Sequence, residues 1–167
     1  MIRPTVSLIG RQQVEQAMKD LAQCLEREQR VLVGVPKGAG EYEDGLTIAT
    51  VAAVNNFGSA DGHIPARPFL APGVERGAPQ YMRLVELMIP QVLTGDMQMR
   101  TLLDQLGELA EGNVKQQILD TYTPPNAQST IDKKGSDHPL IDTGNAGLLG
   151  SIRYVIDDGA EPIEEGI

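Results

Sequence analysis

The chain has 167 residues, enough for one domain of ordinary size whose single core needs no disulfide or metal staples. Hydrophobic residues make up 41% and charged residues 22%, which excludes wholesale disorder. The 23 acidic against 14 basic side chains leave a formal charge of −9, and a surface of that sign disfavours generic binding of nucleic acid through counterion release.

Aromatic residues are only 4% and Trp is absent, which argues against base-stacking platforms or a carbohydrate-binding cleft. No apolar run exceeds six residues, against the roughly 20 of a membrane-spanning helix. Met1 to Arg11 shows no signal-peptide organisation. Cys24 is the only cysteine, so no internal disulfide forms and folding in a reducing compartment is expected.

The spacing of Val14, Ala17, Met18, Leu21, Ala22 and Leu25 predicts an amphipathic helix from about 11 to 29, with Cys24 continuing its apolar face. Val31 to Val35, ended by Pro36, reads as a strand. A polar Gly-rich connection follows, Lys37 to Gly45. Thr47 can then cap a helix through Ile48, Val51, Ala52 and Asn55, closed by Gly58. From Gly58 to Pro72 three prolines predict an extended loop. Tyr81, Leu84, Val85, Met88 and Val92 mark a third helix, which Pro90 is expected to kink or end. Met99, Leu102, Leu103, Leu106, Leu109, Ala110, Val114 and Ile118 mark a fourth, weakened by Gly107 and Gly112.

Residues 121 to 147 show no period and are expected to be a long structureless arm, of the kind that contacts a partner. Ile152, Tyr154 and Ile156 alternate onto one face of a last strand, 151–156. The segment 157–167, with five carboxylates, is expected to be a solvated acidic tail behind a single domain spanning 1–156.

The catalytic inventory is empty. Gly34 to Gly40 follows a strand as a phosphate loop would, but it lacks the Gly-Lys-Ser/Thr triplet and the helix that should come next. Pro139-Leu-Ile-Asp-Thr-Gly144 resembles the active-site turn of retropepsin-like aspartic proteases, in which two aspartates share a proton. The 23 residues after Gly144 leave no room for the flap and closing strand, so Asp142 or Thr143 is expected to cap a short helix toward Leu149. His63 and His138, 75 positions apart in Pro/Gly-rich loops, form no zinc cluster and are expected to be exposed. No cofactor, metal or catalytic residue is expected.

Two loop strings stand out. One is Asn55-Asn-Phe-Gly58 followed by Ile64-Pro-Ala-Arg-Pro-Phe-Leu70; the other is Gly135-Ser136 with Pro139 to Gly144, then Leu148 and Ser151-Ile152. In that order, over about residues 30 to 156, they resemble the neck or tail-completion proteins of tailed bacteriophages, known also as minor tail or virion-morphogenesis proteins. The resemblance implies a non-enzymatic virion protein with an α+β fold, a small mostly antiparallel sheet packed by about four helices. It implies a homo-oligomeric ring, a hexamer or a dodecamer, joining the tail tube or tail terminator to the head connector and letting DNA pass. Such a ring sits in the virion neck and assembles in the bacterial cytoplasm without a membrane. The runner-up from the same context is a tail-assembly chaperone; the enzyme alternative is the retropepsin-like protease. Expected interface residues are Phe57, Ile64, Pro65, Arg67, Pro68, Phe69, Leu70, Pro139, Leu140, Asp142, Thr143, Leu148, Ile152 and Arg153, with Arg67 and Phe69 as the anchors.

Overall fold

A run of apolar, mostly β-branched residues, Val31-Leu-Val33, stiffens the chain into β1 (Arg30–Gly34). In the structure, a computed structural model, the residues described are 15–16, 18–19, 22, 29–42, 44–141, 147–159 and 166–167. The expected helix of 11–29 falls largely outside them; Glu15, Gln16, Met18, Lys19 and Ala22 are helical and exposed. Cys24, Asp142 and Thr143 lie outside the described residues altogether.

After β1 come α1 (Ile48–Phe57), α2 (Leu70–Arg76), α3 (Ala78–Thr94), α4 (Met99–Asp120), α5 (Gln128–Lys134), α6 (Leu148–Ser151) and β2 (Arg153–Asp157). The fold is α+β. β1 and β2 pair antiparallel, with Val31 opposite Ile156, Leu32 opposite Val155 and Val33 opposite Tyr154. Strands at opposite ends of the described chain therefore meet as neighbours, and α4 packs across both.

Local chemistry explains most boundaries. Thr47 caps α1 as expected, its Oγ1 accepting from the Thr50 amide at 3.1 Å. Gly58 ends that helix at φ 84°, where a Cβ would lie 3.2 Å from the Ile64 carbonyl oxygen. α4 buries Leu102, Gly107, Ala110, Val114 and Ile118 along one face, at the spacing the sequence displays. Its glycine at 107 is a docking notch: the Tyr154 ring of β2 lies over it, and a Cβ would come within 2.1 Å of that ring.

Four expectations change. α2 begins at Leu70 inside the stretch read as extended, because Pro72 falls in its first turn, where a missing N–H costs nothing. Of the two outcomes expected at Pro90, termination does not occur: α3 continues to Thr94, with Pro90 exposed on its outer side, so the carbonyl it leaves unbonded is open to water. The arm of 121–147 contains α5, too short for a period to show, and closed by Gly135 at φ 72°. The acidic segment is not solvated throughout: Ile167 exchanges both backbone hydrogen bonds with Val35, and its side chain packs on the core.

The core gathers Val35, Ile48, Ala52, Phe69, Val114, Ile118, Leu140, Leu148 and Ile152. Val33 of β1, Leu70 of α2 and Ile167 pack against it, whereas α3, α5 and β2 contribute none of its residues. Gly107→Ala should therefore displace Tyr154 and cost about 1–3 kcal/mol in urea unfolding. Gly112→Ala, with nothing within 4 Å of the new methyl group, should instead stabilise by about 0.5–1 kcal/mol.

Candidate functional site

The two strings singled out in the sequence meet in space. Asn56, buried at the end of α1, turns its Oδ1 to accept from the amides of Phe69 (3.0 Å) and Leu70 (3.2 Å). The carbonyl of Asn55 accepts from the Arg67 amide at 2.7 Å. Together they clamp the Ile64–Leu70 string back onto the helix from which it departs, and Phe69, wholly buried, enters the core beside Leu140, Leu148 and Ile152 of the second string.

Arg67 is the second clamp. Only 4% exposed, its guanidinium donates from Nε to the Pro124 carbonyl (2.6 Å) and from Nη2 to the Pro125 carbonyl (3.0 Å). Longer contacts of 3.4 Å reach Asn55 Oδ1 and Asn126 Oδ1. These acceptors are neutral oxygens, and burial pushes the guanidinium pKa down from its ordinary value; arginine keeps its charge regardless. The planar fork suits two successive carbonyls in a way that a lysine ammonium does not.

From Asn126 the network runs on. Its Nδ2 donates to the His138 carbonyl at 3.4 Å, and Lys134 Nζ donates to the carbonyls of His138 (3.1 Å) and Pro139 (3.3 Å). His138, expected at the surface, is buried. Its Nε2 lies 3.0 Å from the Leu119 carbonyl, which can only accept, so Nε2 carries hydrogen; Nδ1 faces the Leu140 amide at 3.4 Å. Tyr122 meets the imidazole edge-on, with ring centres 4.6 Å apart. Its role is to hold the end of α4 against the second string.

The expected interface residues thus divide. Arg67, Phe69, Pro139, Leu140, Leu148 and Ile152 are buried within the chain, so as anchors for a neighbour they are corrected to internal struts. Truncating Phe69 alone removes core contacts worth about 3–5 kcal/mol, a large part of the whole stability of a domain. Leu70 is half-buried. Phe57 (71% exposed), Ile64 (41%), Pro65, Pro68 and Arg153 do face solvent.

The outward residues of the first string, Phe57 to Pro68, stand on a rigid mount. Between Phe57 and Ile64 the chain closes on itself: the Ser59 amide donates to the Ile64 carbonyl (2.9 Å), and the Ile64 amide to Ser59 Oγ (2.8 Å). Asp61 Oδ1 accepts from the Ser59 hydroxyl and from the His63 amide (3.1 Å). The Ser59 hydroxyl above all, and then the His63 amide, hold the Asp61 carboxyl below its ordinary pKa of 3.8. His63 is exposed, as expected, with Nδ1 3.0 Å from Asp61. The loop is locked before it meets anything.

Among the described residues no group of three or more His, Cys, Asp or Glu could hold a metal, and no helix is long and apolar enough to cross a membrane. No family model, curated protein or solved structure matches the chain. Sequence reasoning missed Asn126 and Lys134, whose carbonyl contacts depend on chain folding that no local pattern encodes.

Arg67→Met keeps an apolar stem but strands the Pro124 and Pro125 carbonyls, and should cost about 2–3 kcal/mol in urea unfolding. Arg67→Lys should recover less than half of that loss, since one ammonium does not reproduce the fork.

Proposed function

We propose that the chain is a structural virion protein of a tailed bacteriophage, acting as a neck or tail-completion ring at the head–tail junction. The observation that carries this reading is the convergence of the two resembling strings on one buried unit, which holds a pre-locked, proline-braced loop outward. Stiff loops lose little entropy on docking, which favours their use as contacts between subunits.

A closed ring needs two different patches on each subunit, one meeting the other on its neighbour. Phe57, Ile64, Pro65 and Pro68 supply one patch; aromatic side chains concentrate interface energy, and Phe57 is the most exposed large hydrophobic residue of the described chain. Six copies at −9 each bring −54 to the ring. Where that charge lines the channel it repels the phosphate backbone, so DNA passes without adhering to the wall. The partners are then the head connector on one side and the tail tube or terminator on the other, and the protein contributes geometry in place of chemistry.

Electron microscopy of particles assembled without this chain should show full heads and finished tails lying apart. Supplying the wild-type protein should join them; supplying Phe57→Ser/Ile64→Ser, two surface changes worth about 0.5 kcal/mol or less in stability, should not. Joined, infectious particles in the absence of the chain would contradict the reading.

A further inference from the structure

The two edges of the sheet differ in their hydrogen bonding. Tyr154 donates its amide to Glu111 Oε2 of α4 at 3.2 Å, so that amide points away from β1. Val33–Tyr154 and Val31–Ile156 are therefore the pairs of the ladder that share no hydrogen bond. The backbone groups of Val31 and Val33 then face outward, on the far edge of β1. Val35, next in that alternating series, agrees: it exchanges both its backbone hydrogen bonds with Ile167. At Val31 and Val33, by contrast, nothing among the described residues takes the outward amide or carbonyl.

On the β2 edge, Glu111 stands over the Tyr154 amide with its ion partners Lys115 (2.6 Å) and Arg153 (3.9 Å). Charges so placed keep other strands off an edge. The β1 edge has no such cover among the described residues. Its open stretch runs from Arg30 to Gly34, where the Gly166–Ile167 pairing with Val35 and Pro36 begins, and it holds no lysine, proline or bulge. A bare edge of this kind is a template for another strand.

We propose that β1 pairs antiparallel with β1 of a second copy, about a two-fold axis through Leu32 and perpendicular to the sheet. With its β2 edge covered, a second copy has only the same β1 edge to offer. In this register Val31 meets Val33 of the second copy, and the two exchange the hydrogen bonds left open in one chain. Leu32, 41% exposed, meets its own counterpart, and Val155, 40% exposed, extends the apolar row on either side. Arg30 falls opposite Gly34 and keeps Asp157 on its other flank, so like charges are not opposed. Sliding two residues one way sets Val31 against Val35, which Ile167 already occupies; sliding two the other way sets Val33 against Gln29, outside β1. The contact is isologous and closes on itself at two copies. It needs nothing from the ring reading above; on a ring it joins two rings back to back.

Leu32→Cys, in the full chain carrying Cys24→Ser, tests the axis directly. Facing residues in a pair without hydrogen bonds have Cα atoms about 4.5 Å apart, within disulfide range. Oxidation by copper-phenanthroline in air should give a reducible covalent dimer. It should form about tenfold faster or more than with Val155→Cys, which is equally exposed but one strand further from the axis. No dimer through position 32, or equal rates at the two positions, overturns the proposal. Leu32→Lys sets two like charges face to face; light scattering should show the particle mass halved, with circular dichroism unchanged. A wild-type particle of two copies and no more upholds this contact and overturns the ring. A wild-type ring whose mass Leu32→Lys leaves unchanged does the reverse, and a wild-type chain monomeric at every concentration overturns both.

Discussion

The fold depends on how Asn55 and Asn56 finish α1. A helix leaves its last carbonyls without partners, and the chain after it must be held if it is to return. Here the Asn55 carbonyl takes the Arg67 amide, and the Asn56 side chain takes the next free amides, Phe69 and Leu70. That clamp delivers Phe69 to the core and Arg67 to the carbonyls of Pro124 and Pro125. Without it the loop from Gly58 to Pro68 would have one fixed end. With it, both ends are pinned about the same helix terminus, and the prolines between them stiffen what remains.

Burying an arginine against neutral oxygens is costly unless its donors are well satisfied. In this chain the satisfied guanidinium joins segments 57 or more positions apart, and Asn126, Lys134 and His138 extend the join to the end of α4. The result is a polar seam beside an apolar core, with the displayed loop on its outer side. A surface anchored this way yields little when loaded.

Much of this was legible in the residues, and the exceptions have physical causes. The periodic faces of α3 and α4, the cap at Thr47, the stop at Gly58 and the alternation of β2 are local effects, and local patterns display them. α5 is seven residues long, less than the span over which a helical period can be seen. The burial of Arg67 and His138 inverts the usual preference of polar side chains for water, and only the long-range carbonyl partners make it tolerable. Read from the sequence, Arg67 and Phe69 look like adhesive residues on a loop; in the folded chain they are what holds the loop in place, and the side chains left facing solvent are Phe57, Ile64 and the prolines.

If the Asn55–Asn56 clamp welds the two strings and the core into one cooperative unit, its amides open only when that unit does. Native-state hydrogen exchange measures this directly. The amides of Arg67, Phe69 and Leu70 should exchange with the same opening free energy as those of Val114 and Ile118 in the buried face of α4, within about 1 kcal/mol. Exchange of the three loop amides at several kcal/mol lower, while α4 stays protected, would mean that the loop is hung on the domain and not built into it, and the account would fail.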